Sequence, residues 1–341
     1  HARLRETLRQ APKMPELPDI LAYVDALSER VVGQPITRAL VRSPALLRTA
    51  EPPLREVVGK RVTSVSRLGK RLVLALEADL AVVIHLMIAG RLHWRRPGVL
   101  PGGKFDSAVL GFPEATLLLT EASTKKRAEL HVVEASDLWR FKRGGLDVMG
   151  ATLGAFAEVL SRENHTVKRT LTDPRLFDGI GNAYSDEILH AARMSPLAWT
   201  SRLTEADVER LFEATRRTLA AWIERLAAER KGGFPEKVTA FRAEMAVHGK
   251  YQKPCPDCGT PVQRIRYADN ETNYCPRCQT DGKLLADRSL SRLLKDDWPR
   301  TIEDLEELQE RQAAARAGAA PVTPPSPSST RPRPARPSRR G

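Results

Sequence analysis

The most specific chemistry in this chain is carried by four cysteines and a pair of glycines. Cys255, Cys258, Cys275 and Cys278 have the spacing C-x2-C-x16-C-x2-C, and the chain has no other cysteine. Each close pair can form a knuckle, and the stretch VQRIRYADNETNY between them reads as a hairpin that brings the pairs together. Four thiolates so gathered are the donor set of a closed tetrahedral zinc site, which organises its surroundings and leaves no position for a catalytic water. Two disulfides or a redox pair do not account for two identical spacings around a hairpin-like insert. Arg264, Arg266 and Arg277 sit on or beside this metal-stiffened finger, as phosphate contacts or as a solvated face.

The second signal is GIGNAYSDEILHAARM, where Gly179 and Gly181 precede an amphipathic helix. Such a turn needs permissive backbone angles, and the free N–H groups at the helix start can hold an anion. Asn182 is then an N-cap or a phosphate ligand. Lys168 and Arg169, just upstream on a short helix, favour phosphate.

These residues need elements to position them. From Arg61 to Val133 the segments RVTSVSRL, RLVLALEA, LAVVIHLM, GRLHWR, FDSAVLGF, ATLLLTEA and AELHVV read as successive short strands, separated by Gly, Pro or charged breaks. They predict an antiparallel sandwich. Leu17 to Val32 has helical spacing at Leu21, Val24, Leu27 and Val31, with Pro18 in its first turn. After Gly150 the pattern turns helical and includes a long stretch, Glu205 to Glu229, with a stripe of Leu211, Leu219, Trp222 and Leu226. The expected class is α+β: an N-terminal antiparallel β-sandwich with flanking helices, a helical domain, and a C-terminal four-cysteine zinc finger. The boundaries read as 14–145, 146–245 and 246–285. Residues 1–13 read as a leader or remnant, and 286–341 as a helix-prone extension with a disordered Arg/Pro-rich tail.

Length and charge bound the rest. A chain of 341 residues can bury two or three cores. Its formal charge is +13, of which Arg316, Arg331, Arg333, Arg336, Arg339 and Arg340 supply six from a tail without acidic residues. A basic surface attracts polyanions, but charge alone does not separate nucleic acid from an anionic membrane. No apolar run approaches the roughly 20 residues that span a bilayer, so the expectation is a soluble, intracellular protein without membrane contact.

MPELPDI at Met14 to Ile20, GKRLVLAL around Lys70, the block NHTVKRTLTDPRLFDGIGNAYSDEIL and the terminal finger occur here in one order. Together they resemble the formamidopyrimidine-DNA glycosylase and endonuclease VIII family over about residues 14 to 285. The resemblance implies a sandwich, a helix–two-turn–helix domain and a zinc finger, with damaged double-stranded DNA in the cleft between. It implies excision of a damaged base and AP lyase cleavage, with Pro15 as amine nucleophile, Glu16 as general acid/base and Lys70 on the sugar-phosphate. It also matches His85, Lys168 and Asn182 to positions that hold the phosphates beside an extruded nucleotide, and implies a monomer of the bacterial cytoplasm without a small-molecule cofactor; Lys126 on the basic loop and Arg264 and Arg266 on the finger complete the expected DNA contacts. The alternative class is a non-catalytic zinc-finger protein that binds DNA damage.

An amide nitrogen cannot be that nucleophile, so either the chain starts at Met14 and loses its methionine, which is the favoured expectation, or the extension abolishes the lyase chemistry. Three departures from the family pattern stand out. Asn270 occupies the position of an arginine associated with the second, δ elimination, so cleavage is expected to stop largely after β elimination. Ile88 replaces a void-filling methionine, with Met87 adjacent. TEASTKKRAE replaces an Arg-Phe loop and leaves Lys125, Lys126 and Arg127 without an aromatic wedge.

Overall fold

The computed structural model describes residues 14–236, 238, 242–267, 270–286 and 299–318. The predicted leader and the Arg/Pro-rich tail lie outside the described residues. Helix α1 (Leu17–Val31) starts where Pro18 fits the first turn and where the Glu16 N–H donates to Asp19 Oδ2 at 3.0 Å. Its apolar face buries Ile20, Tyr23, Leu27 and Val31 in the sandwich core. Leu17 and Ala22, at other angles of the same helix, join the core of the helical domain. One helix is thus shared by both lobes.

Eight strands form the sandwich: β1 (Arg38–Val41), β2 (Val62–Leu68), β3 (Arg71–Leu76), β4 (Leu80–His85), β5 (Gly90–Arg95), β6 (Asp106–Gly111), β7 (Thr116–Glu121) and β8 (Glu129–Glu134). They pair antiparallel in two sheets, β2-β3-β4-β8 and β1-β6-β7-β5. Alternation sends Leu72, Leu74, Val82, Ile84 and Val132 of one sheet against Leu92, Leu110, Leu117 and Leu119 of the other. Each such side chain stabilises the fold by about 1.5–3 kcal/mol relative to exposure. The strand missing from the sequence reading is β1. It is a four-residue edge strand whose Leu40 is 41% exposed, so no buried period marks it.

The register sets where the loops fall. Arg71 pairs with His85 and His85 with Glu129, while Gly90 pairs with Glu121 and Asp106 with Thr120. The β2–β3 turn, the 86–89 turn, the 122–128 loop and the last residues before β6 therefore meet at one end of the sandwich.

The helical domain contains α2 (Leu153–Ser161), α3 (Val167–Thr172), α4 (Asn182–Ala191) and α5 (Glu205–Arg230). Thr204 caps α5 by accepting from the Asp207 N–H, and Asp207 returns the bond to the Thr204 N–H. Phe156, Phe177, Tyr184, Leu211 and Trp222 anchor this core. The finger consists of the hairpin β9 (Gln263–Tyr267) and β10 (Asn270–Tyr274) followed by α6 (Pro276–Thr280). A further helix, α7 (Ile302–Gly318), is tied to it by Leu284 N–H to Arg300 O at 2.9 Å and Ile302 N–H to Gly282 O at 3.1 Å. Among the described residues, no helix is long and apolar enough to cross a membrane.

Candidate active site and nucleic-acid interface

Pro15 and Glu16 are buried where the two lobes meet. The Glu16 carboxylate accepts three backbone N–H groups at the start of α4: Gly181 at 2.7 Å, Ala183 at 2.8 Å and Tyr184 at 3.2 Å. The glycine turn does hold an anion, as its backbone predicts, and the anion present is the protein's own carboxylate. Leu17 N–H donates to Gly179 O at 2.9 Å and completes the seam.

Both glycines are required by this contact. Gly179 has φ +81°, and a Cβ there would lie 2.8 Å from Leu17 Cβ. A Cβ on Gly181 would lie 2.5 Å from Glu16 Cδ and 2.6 Å from Lys70 Nζ. The same construction places the Lys70 ammonium, carried on the β2–β3 turn, against Glu16. Burial pushes the Lys70 pKa down, and Glu16, Asp178 and Asp19 oppose that shift. Gly181→Ala is expected to displace Glu16 or Lys70 and, in the base excision that the sequence resemblance implies, to slow base release by about 100-fold, since small misplacements at a reacting centre have effects of this size. Single-turnover rates on lesion duplex, with the circular dichroism spectrum as a folding control, check this.

Asp19, in the first turn of α1, is buried and accepts the Glu16 N–H at 3.0 Å. Burial raises its pKa to about 7, partly offset by the bond from the Glu16 N–H.

Asn182 is the first residue of α4, with Gly181 as the N-cap. Its amide donates to Glu271 O at 2.9 Å and so joins the glycine turn to the finger hairpin. Lys168 lies behind it, its ammonium bonded to Asn182 O at 3.2 Å, to Ser185 Oγ at 2.9 Å and to Asp186 Oδ1. Those three bonds use all three N–H donors of the ammonium. The other Asp186 oxygen receives the Asn273 N–H at 3.1 Å and lies 2.7 Å from His248 Nδ1. Burial acts to raise the Asp186 pKa, but Lys168 and His248 outweigh it and hold the carboxyl below its usual range. This buried charged group welds α3, α4 and β10 together. Asp186 and His248 were not singled out in the sequence, and nothing local to His248 signals a partner 62 residues away.

On the other wall, burial and the Arg71 guanidinium push the His85 pKa down to about 4, with Glu129 acting in the opposite direction. At neutral pH its imidazole is a neutral donor. Among the described residues, His85 Nδ1, His131 Nε2 and Arg71 Nε are buried without a hydrogen-bond partner. They share one face of the sheet beside the Lys70 turn, where the Glu129 carboxylate stands 3.8 Å from His85 Nδ1 and 3.6 Å from His131 Nε2, beyond hydrogen-bond length, so a polar group brought by a ligand could complete them. Lys126 bonds the Glu121 carbonyl, while Lys125 and Arg127 are exposed. In the finger, Arg264 lies 4.0 Å above the Tyr251 ring and 3.4 Å from Glu271, and Arg266 is largely exposed.

Cys255 and Cys278 Sγ are 3.9 Å apart, Cys258 and Cys275 3.4 Å, and Cys258 and Cys278 3.5 Å. A tetrahedral zinc with bonds of about 2.3 Å requires sulfur separations of about 3.8 Å, so the four thiols fit one structural zinc ion. Buried His190 reaches Cys255 Sγ at 3.3 Å from α4 and supports the site from the helical domain.

Sandwich, helical module and finger thus converge on a buried acid, an amine and a set of outward-facing bases. Three family models match in the same order: the formamidopyrimidine-DNA glycosylase N-terminal domain at residues 14–128, its H2TH domain at 148–231, and the zinc finger found in FPG and IleRS at 252–280. A formamidopyrimidine-DNA glycosylase of Thermus thermophilus is 32% identical over 279 residues, covering 79% of this chain and all of the relative. An uncharacterized formamidopyrimidine-DNA glycosylase-like protein of Mycobacterium tuberculosis is 41% identical over 155 residues, covering 44% of this chain and 94% of that one. The Lactococcus lactis Fpg in complex with abasic-site DNA superposes with TM-score 0.69 at 25% identity, covering 78% of this chain and 99% of that one. The chain belongs to the formamidopyrimidine-DNA glycosylase family.

Proposed function

We infer that this chain is a base-excision DNA glycosylase that also cleaves the strand at the abasic site, with Pro15 as nucleophile once its nitrogen is the chain terminus. The observation that carries the reading is the junction at Gly181, where Glu16, adjacent to Pro15, is fixed by three backbone donors and faced by Lys70. A terminal amine has a pKa near roughly 8, so an appreciable fraction is neutral and nucleophilic at neutral pH. Its lone pair attacks C1′ of the damaged nucleotide, and the base departs with the electrons of the glycosidic bond and takes up a proton. Loss of the proline proton and opening of the sugar give an iminium ion. The positive nitrogen acidifies the C2′ hydrogen. Removing it expels the 3′ phosphate, and water then releases Pro15. Glu16 is positioned to move these protons, and the Lys70 ammonium to face the sugar-phosphate.

The partner is duplex DNA carrying a damaged base. The Lactococcus lactis relative has been seen with DNA containing Fapy-dG, an abasic site and an oxidised pyrimidine. The buried His85 nitrogen that makes no hydrogen bond, the stiff finger with Arg264 and Arg266, and the basic loop around Lys126 support contacts to the phosphates flanking an extruded nucleotide. Asn182 and Lys168 support the same surface from behind, since they hold the finger to the glycine turn. One chain supplies every group in this scheme, which supports action as a monomer, and the named relatives support a bacterial cytoplasmic setting.

The reading is tested with duplexes carrying a single formamidopyrimidine or abasic site, using protein processed to Pro15. Base release and a nick ending mainly in the β-elimination product are expected, because Asn270 replaces the arginine linked to δ elimination. Lesion-preferring binding with neither base release nor nicking would point instead to a non-catalytic damage-binding protein.

A further inference from the structure

Glu16 and Lys70 reach the lobe junction on different segments of the chain, and each needs its own means of placement. The backbone of the glycine turn fixes Glu16. Lys70 sits on the β2–β3 turn, and its flexible side chain is placed no better than the turn that carries it. We propose that Arg67, clasped by Asp178 and Asp147, is a positioning residue that holds the Lys70 turn against the helical lobe.

Arg67 is the next-to-last residue of β2, three residues before Lys70. Its guanidinium leaves the sandwich and donates from Nη1 to Asp178 Oδ2 at 2.8 Å and from Nη2 to Asp147 Oδ2. The Arg67 side chain is only 14% exposed, so these charge-assisted bonds are screened less than a surface pair would be. Both carboxylates are held in their turn. Leu146 N–H donates to Leu176 O and Asp178 N–H to Leu146 O, each at 2.9 Å, which lays the segment bearing Asp147 beside the one bearing Asp178. Asp147 Oδ1 also accepts the Met149 N–H at 3.2 Å.

The place of Asp178 in the chain links the clasp to the chemistry. Asp178 is followed by Gly179, whose carbonyl accepts the Leu17 N–H, and then by Gly181, whose N–H binds Glu16. Its other oxygen, Oδ1, packs against the Lys70 turn: a Cβ on Gly69, which has φ +63°, would lie 3.0 Å from it. The short segment 178–181 therefore holds Glu16 through a backbone N–H at one end and the Lys70 turn through a carboxylate at the other. Asp178 is also one of the charges, with Glu16 and Asp19, that oppose the effect of burial on Lys70. A second bidentate pair provides the contrast. Arg230 donates to both Glu29 oxygens at 2.6 Å and joins α1 to α5, but at the opposite end of α1 from Glu16.

This inference rests on the reading of the chain as a base-excision enzyme. Single-turnover base release is measured with protein processed to Pro15 for the wild type, Asp178→Asn, Arg67→Ala and Glu29→Gln. The first two substitutions are then repeated beside Lys70→Ala. Alone, Asp178→Asn and Arg67→Ala are each expected to slow release by about tenfold, the effect of a sub-ångström misplacement. In the slower Lys70→Ala background neither should cause further loss, because both act through Lys70. Glu29→Gln should lower the thermal midpoint and leave the rate as in the wild type. A clasp that only stabilised the fold would multiply its loss onto that of Lys70→Ala. That result, a wild-type rate in Asp178→Asn, or an equal loss in Glu29→Gln would each overturn the proposal. Asparagine keeps the size of Asp178, so this variant decides the matter even where Arg67→Ala fails to fold. A wild type that releases no base would overturn the enzyme reading itself, and the positioning role with it.

Discussion

Glu16→Gln is expected to slow base release by about 100- to 1,000-fold, within the range for loss of a positioned acid or base. Glutamine is nearly isosteric, but it offers one acceptor oxygen where Glu16 uses both to receive Gly181, Ala183 and Tyr184 N–H groups. Its amide would turn donors toward donors at the start of α4. Charge-assisted hydrogen bonds contribute about 1.5–3 kcal/mol each, so the thermal midpoint should fall as well. The negative charge facing Lys70 is also lost. Single-turnover rates measured well below the midpoint separate chemistry from folding. Base release within tenfold of the wild type would show that Glu16 only seals the lobe junction.

The second large effect is expected on zinc removal. The apolar cluster of the finger consists of Val247, Cys255, Val262 and Cys275, with Ala246, Cys258 and Cys278 packed around it. Two of its four buried members are themselves metal ligands, so little core remains without the ion. Structural zinc contributes about 10–16 kcal/mol in isolated finger peptides at neutral pH, far more than a pair of valines. Cys258→Ser or exhaustive chelation should therefore unfold the finger as a separate low-temperature transition and leave the sandwich transition in place. The loss should reach the helical domain, because Asn182 binds Glu271 O and Asp186 binds the Asn273 N–H. Affinity for abasic duplex is expected to fall at least about 100-fold, with a shallower salt dependence as finger arginines are lost. Unchanged affinity in a Cys258→Ser protein free of zinc would remove the finger from the DNA interface.

Much of the fold was legible because it depends on local periodicity. The alternation in RLVLALEA and LAVVIHLM marks strands, the stripe of α5 marks a long helix, and paired C-x2-C spacings mark the finger. Site residues close to their own signals were legible too, such as the glycine turn and the cysteines. Long-range pairings were not. Glu16 and the N–H of Gly181 are 165 residues apart, and no local pattern says that the anion held by the turn comes from within the chain. Lys168 reads as a free cation in sequence, whereas Asp186, on a different helix, engages it together with the α4 start. Phe105 illustrates the converse. A phenylalanine in a strand-like pattern reads as core, and only the turn geometry shows it facing solvent.

The central claim is that the nitrogen of Pro15 forms the bond to the sugar. The direct measurement is borohydride trapping on a duplex with one abasic site, comparing the 341-residue chain with one begun at Met14 and processed to Pro15. A covalent protein–DNA complex confined to the processed chain, with the crosslink mapped to Pro15, is the predicted result. Trapping in both would contradict it and point to a lysine such as Lys70, whose pKa burial lowers. Trapping in neither would contradict amine catalysis altogether.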